Sequence, residues 1–260
     1  MIKQKKLGNT DISVSILGLG TVKFGRNTQV AYPQPFELPS DKAIVELLAR
    51  ARDLGINLID TAPAYGFSEE RLGGLLKKQR HDWVISTKVG EEFSDQGSYF
   101  DFSALSVKRS IERSLQRLKT DYVDIVLVHS NGEDEKIINE NPVFQTLEAL
   151  KIAGLIRAFG MSTKTVAGGL LAVERSDVVM VTHNPTYQAE QEVIAYAHQK
   201  NKGVFIKKAL VSGHLQKITG IDPVLAAMQC VFQEPGVSSV IVGTINPLHL
   251  QHNVQCVEQV

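Results

Sequence analysis

Cysteine is nearly absent. The 260 residues hold two, Cys230 and Cys256, with no CxxC and no Cys/His ligand spacing, which argues against a disulfide framework and a structural zinc site. Both fall in segments that read as late helices and are expected to be buried, reduced thiols; no metal is expected. Net charge is absent too: 28 Lys and Arg balance 28 Asp and Glu, leaving no overall field to hold nucleic acid or an anionic membrane surface. No apolar run approaches the ~18 residues that mark a membrane span. Lys3, Lys5 and Lys6 are followed by no apolar stretch of the secretory kind. The expectation is a cytoplasmic protein with neither membrane nor nucleic-acid partner. Linkers and low-complexity tracts are missing as well, so residues 1–260 read as one domain.

What is present is a regular alternation. Residues 3–7 and 12–16 read as two strands around the hairpin signal Gly8-Asn9. Short apolar runs rich in Val and Ile then recur at 16–22, 57–59, 83–86, 123–128, 156–160, 178–181, 204–206 and 237–242. They do not alternate with polar residues, which suits strands buried on both faces of a parallel sheet. Amphipathic helical patterns separate them, the clearest carrying Val107, Ile111, Leu115 and Leu118 on one face. Ser40, Ser68 and Ser103 are the expected helix N-caps. Alternation alone does not separate a closed barrel from an open doubly wound sheet. The first strand ends Gly18-Leu19-Gly20-Thr21-Val22-Lys23, however, so the dinucleotide fingerprint G-x-G-x-x-G fails at its third glycine. That favours an α/β (β/α)8 barrel with an N-terminal β-hairpin. The two longest poorly patterned stretches, 23–39 and 91–102, follow strands and are read as loops on the C-terminal face, where barrel active sites lie.

Three consecutive runs end in ionisable residues. The second run leads into Asp60, with Tyr65 five residues on; the third leads to Lys88; the fourth ends at His129. Each has a plain structural role open to it, as a capping carboxylate, a packed loop aromatic, a solvated lysine or a core-edge histidine. Together on one rim they suit acid–base chemistry. A free tyrosine, with a pKa of about 10, is a weak acid at neutral pH, and a neighbouring ammonium is expected to lower that value. Asp60 is suited to hold the lysine, and His129 to orient an oxygen.

These residues lie in long motifs. The stretch GINLIDTAPAYGFSEERLG at 55–73 resembles the signature of the aldo-keto reductases; STKVG at 86–90, DYVDIVLVH at 121–129 and GLIRAFGMS at 154–162 resemble further segments of that family. The resemblance implies a catalytic tetrad of Asp60, Tyr65, Lys88 and His129, with hydride passing between a nicotinamide cofactor and a carbonyl or alcohol while the tyrosine serves as acid or base. It implies cofactor contacts at Gly20, Thr21, Ser162, Thr163, Met180, Lys207, Lys208, Ala209, Leu210, Gly213, Gly243, Thr244, His249 and Asn253. Several depart from the family's pattern. Thr163 replaces an Asn, Met180 a Gln, and Lys207 an aromatic; Lys207 or Lys208 is expected to touch phosphate. Gly243 and His249 stand where NADP-preferring members carry Lys or Arg. NADP(H) is the expectation by resemblance, with NAD(H) open. The chain ends soon after its eighth helical pattern, which leaves substrate selection to the loops at 23–39, 91–102 and 130–142 and to Phe24, Tyr32, Phe93, Tyr99 and Phe100. By resemblance the protein is a monomer acting on a small carbonyl or alcohol. Two alternatives stay open: a cofactor-binding regulatory or sensor barrel with little turnover, and a Schiff-base enzyme using Lys88 as its amine.

Overall fold

The computed structural model describes residues 1–215 and 221–260. An N-terminal hairpin pairs β1 (Gln4–Lys6) with β2 (Ser13–Ser15). Parallel strands β3 (Leu17–Gly20), β4 (Leu58–Asp60) and β5 (Val84–Val89) follow. A second hairpin, β6 (Glu91–Ser94) with β7 (Gly97–Phe100), precedes β8 (Val123–His129), β9 (Ile156–Ser162), β10 (Val178–Thr182), β11 (Gly203–Lys207) and β12 (Ser239–Val242). The two hairpins aside, the strands close into an eight-membered barrel in the order β3-β4-β5-β8-β9-β10-β11-β12. Helices wrap it: α1 (Val22–Gly25), α2 (Asp41–Asp53), α3 (Ser68–Leu75), α4 (Ala104–Leu118), α5 (Asp134–Glu140), α6 (Val143–Ile152), α7 (Val166–Arg175), α8 (Gln191–Gln199), α9 (Pro223–Phe232) and α10 (Pro247–Val257). Among the described residues no helix is long and apolar enough to cross a membrane.

Two cores follow from the period of two along a strand. One set of strand residues faces the helices, including Leu19, Ile59, Ile85, Val89, Val126, Val128, Phe159, Met161, Val179, Val181, Val204, Ile206 and Val240. The alternate set fills the barrel with Leu58, Ile125, Leu127, Ala158, Val178, Met180 and Phe205. Leu7, Ile12 and Val14 of the first hairpin join this inner cluster and plug the bottom. Leu7 is fully buried, and truncating such a leucine to alanine costs about 2–5 kcal/mol. The same parity continued upward decides what reaches the rim. Asp60 follows Leu58 inward, Lys88 follows Ser86, His129 follows Leu127, Ser162 follows Gly160, and Lys207 follows Phe205.

Ser40 and Ser103 cap as expected, accepting from Ala43 N and Ser106 N. Ser68 does not. It is the first residue of α3, and Phe67 occupies the N-cap. The Ser68 hydroxyl donates to Thr21 Oγ1 at 2.8 Å and accepts from Thr61 Oγ1 at 3.0 Å, tying α3 to two barrel strands instead. The stretch 91–102, read from sequence as an irregular loop, contains the β6–β7 hairpin. Its polar strands lack the apolar alternation that announces a sheet; a four-pair ladder from Glu91↔Phe100 to Ser94↔Gly97 and stacking of Phe100 on Phe102 hold it. Cys256 is buried, but Cys230 is half-exposed, because it lies on α9 away from that helix's buried positions Ala227, Met228 and Val231.

Candidate active site

At the top of the barrel Asp60 and Lys88 form a closed pair. Lys88 Nζ donates to Asp60 Oδ1 and Oδ2, each at 2.7 Å, and to Thr61 O at 2.9 Å. Both side chains are almost fully buried, Lys88 at 1% and Asp60 at 3% exposure. Burial pulls Lys88 down, but Asp60 and Tyr65 more than offset this, so its pKa stands above the ordinary lysine value. An ammonium whose three protons are all engaged has no lone pair to attack a carbonyl, which argues against the Schiff-base reading.

Tyr65 ends a short 3-10 turn, Pro63–Tyr65. The Lys88 ammonium lies 4.8 Å from its ring centroid. Burial pushes the phenol up, Lys88 pulls it down, and Asp60 and Glu91 push it up again; the net direction is upward. The sequence-based expectation of a lowered tyrosine is thus corrected: the lysine acts in the expected sense, and loss of solvent outweighs it. The turn is fixed from outside by α1. A Cβ on Gly25 would stand 2.3 Å from Tyr65 O and from Ser68 N, and one on Gly66 2.2 Å from Gly25 O. Two glycines facing each other let α1 lie flush against the turn that carries the tyrosine.

His129 presents its ring edge-on to Tyr65, with centroids 6.4 Å apart. Its Nδ1 stands 2.6 Å from Glu91 Oε2, off the line of a well-aligned hydrogen bond. Burial lowers the His129 pKa, Glu91 raises it, and Lys88 and Lys207 lower it further; the net direction is down. The Glu91 carboxyl is raised by burial but lowered more by His129, Ser98 and Arg26, reaching about 2.

A cleft of about 1180 Å³ runs from these groups across the rim to α10. It collects Asp60, Tyr65, Lys88, His129, Gly20, Thr21, Ser162, Met180, Lys207, Lys208, Ala209, Leu210, Gly213, Gly243, Thr244, His249 and Asn253. Thr163 is the exception among the expected site residues. It follows Ser162, so its side chain faces outward and donates to Glu190 Oε1 at 3.3 Å. Lys207 does not stand free as a phosphate ligand. Its Nζ turns inward to donate to Ser162 Oγ at 2.9 Å and Thr163 O at 2.6 Å, and burial lowers it to about 8. Lys208 is exposed on the rim.

Of the five loop aromatics expected from sequence Tyr32 alone lines the cleft, which Tyr187, not among them, also borders. Phe24 is wholly buried, Phe93 lies under the Arg26 guanidinium, Tyr99 is exposed on the hairpin, and Phe100 stacks on Phe102. Sequence reading did not single out Glu91, Glu190 or Asn184, which lines the cleft and donates through Nδ2 to Lys208 O at 3.0 Å. Glu91 carried a signal, as an acid two residues beyond Val89 at the end of a strand. Glu190, which accepts from Thr182 N at 2.9 Å, carried none.

The profile of the Aldo/keto reductase family matches residues 16–218. The chain belongs to that family. It is therefore an NAD(P)-dependent oxidoreductase, of a family that acts on small-molecule carbonyls and sugars. The crystal structure of PA4992 from Pseudomonas aeruginosa superposes with a TM-score of 0.90 at 54% identity, covering 98% of this chain and 95% of that one. An uncharacterized oxidoreductase of Bacillus subtilis, YqkF, is 27% identical over 98% of this chain and 90% of its own length. The NADH-specific methylglyoxal reductase of Escherichia coli is 35% identical over 61% of this chain and 51% of its own length.

Proposed function

We propose that this aldo/keto reductase reduces small aldehydes, ketones or open-chain sugars with Tyr65 as the proton donor, and runs the reverse reaction with Tyr65 as base. The observation that carries the reading is the single rim layer in which Lys88, held charged by Asp60, sits beneath Tyr65 while His129 meets the same ring edge-on. A nicotinamide cofactor supplies the hydride when bound. Tyr65 delivers a proton to the oxygen that gains charge, and the Lys88 ammonium stabilises the phenolate left behind. His129 orients that oxygen from the other side. The Asp60 carboxylate keeps the lysine charged where burial alone would discharge it.

The residues that would hold the cofactor support this assignment. Gly20 and Gly243 keep the cleft floor low: a Cβ on Gly243 would stand 2.7 Å from Tyr32 Oη, and one on Gly20 3.1 Å from Ile241. Ser162 and Lys207 suit the nicotinamide end, Lys208 and Gly213 the phosphates, and Thr244, His249 and Asn253 the adenosine. Residues 243–253 contain no Lys or Arg. NADP(H) is the first choice by family, but a 2′-phosphate would meet at best the partly charged His249, so discrimination against NAD(H) should stay below about 100-fold. We take the enzyme as a cytoplasmic, monomeric, single-domain protein.

The test is calorimetric titration of the intact chain with NADPH and, separately, NADH, followed by a panel of 2-oxoaldehydes, simple ketones and aldoses. Binding of either dinucleotide with turnover of a carbonyl is expected. Failure of both to bind would overturn the assignment.

A further inference from the structure

His129 has one carboxylate against it. Glu91 is the first residue of β6, and its Oε2 lies 2.6 Å from His129 Nδ1. Its other oxygen accepts from Ser98 Oγ at 2.6 Å, on the opposite strand of the same hairpin. The Arg26 guanidinium stacks 3.5 Å from the Phe93 ring centroid and donates to Ala64 O at 3.1 Å. One arginine thus ties the Glu91 hairpin to the Tyr65 turn. The other charged or titratable groups facing His129 come from three elements: Lys88 on β5, Lys207 at the end of β11, and Tyr65 across the ring edge. Asp60 on β4 is already held by Lys88. Glu91 is therefore the group that favours a proton on this imidazole, against two ammonium groups that oppose it.

We propose that Glu91 is the positioning residue for His129, fixing Nδ1 as the protonated nitrogen so that Nε2 is the atom turned toward the reacting oxygen. The proposal rests on the reading that His129 orients that oxygen. Which imidazole nitrogen carries the proton is set by the partner of the other, and a carboxylate partner selects one tautomer and one ring orientation. The present contact is close but off-axis, as such contacts often are before substrate binds. When His129 takes a second proton, Nε2 becomes a donor to a carbonyl oxygen, and Glu91 stabilises that form. Removing the carboxylate charge takes away the contribution that raises His129 and leaves burial, Lys88 and Lys207 to lower it, so the titration must move to lower pH.

The experiment is a pH titration of the full-length protein labelled with ¹⁵N-histidine, read by long-range ¹H–¹⁵N correlation. The His129 signals are assigned by their loss in His129→Gln. Wild type is expected to show the Nδ1–H tautomer in its neutral form. Glu91→Gln keeps an acceptor but no charge, and its midpoint should fall by about one pH unit with the tautomer retained. Glu91→Ala should lose both. The reduction rate should follow: its pH profile in Glu91→Gln shifts by the same amount, while KM for the cofactor stays. A wild-type His129 in the Nε2–H tautomer, or a midpoint unmoved in Glu91→Gln, would overturn the proposal. The spectra need neither cofactor nor turnover. An inactive protein with a carboxylate-held His129 would count against the proposed reaction and not against this pairing.

Discussion

The two halves of the barrel rim are built on different terms. On one side β4, β5 and β8 deliver Asp60, Lys88 and His129 by strict alternation, and the central charge pair is buried with every lysine proton engaged. On the other side β9 to β12 end in a looser wall. There Lys207 keeps a pKa of only about 8, and the backbone turns through positive φ at Lys208, Val211 and Ser212. A β-branched residue in that region is strained, and such strain collects at ligand-binding segments. The lesson is a division of labour. Substitutions on the first side should cost fold and turnover together, whereas those on the second should change ligand affinity and leave the fold alone.

The sharpest way to break this contrast is Lys88→Met. It strands the Asp60 carboxylate in the interior, and breaking such a pair costs about 3–5 kcal/mol; chemical denaturation should show that loss alongside loss of turnover. Stability equal to wild type would mean the pair is not what locks this side. Gly25→Ala comes next. Its methyl has no room against Tyr65 O and Ser68 N, so the tyrosine turn must move. A shift of about 1 Å in a reacting group costs on the order of 100-fold in rate, measurable as kcat at saturating cofactor.

The pH dependence tests the same side without mutation. Tyr65 is held above its ordinary value and keeps its proton through neutral pH. Reduction, which needs that proton, should show a fall in the alkaline range as Tyr65 titrates, separate from the step that the His129 titration sets at lower pH. Oxidation, which needs the phenolate, should climb as pH rises. Parallel profiles in the two directions would remove Tyr65 from the proton transfer.

On the second side the effects are smaller. His249→Arg should tighten NADPH by about tenfold and leave NADH unchanged, the value of a charge-assisted hydrogen bond to phosphate, read by titration. Lys207→Met removes a half-buried amine with no carboxylate salt bridge and should alter stability by less than about 1 kcal/mol, against the several expected for Lys88→Met. Comparable losses in the two lysine variants would erase the difference between the halves.

The same contrast explains what was legible in the sequence. The eight strands could be read because each falls in a short, largely apolar run without polar alternation, and the residues following them fell on one rim because strand ends in a parallel barrel share a face. The outward turn of Thr163 was readable from parity with Gly160 and Ser162, but the motif likeness placed it in the site. The net upward pull on Tyr65 was not readable, since it depends on how much water the fold removes. Nor was the β6–β7 hairpin, whose polar strands carry no period of two. Lys207 shows the limit most clearly. The sequence places a lysine at the end of β11, yet its engagement with Ser162 and Thr163 rather than with the open cleft is decided by which partners the closed barrel brings within reach.

The most direct test of the account is the rate of a single turnover in Tyr65→Phe at saturating cofactor, beside the cofactor dissociation constant of the same variant. The account predicts a loss of about 10²–10⁴-fold in rate, the usual share of a positioned proton donor, with the dissociation constant unchanged. A rate within a few-fold of wild type would contradict it and take the proton from some other group.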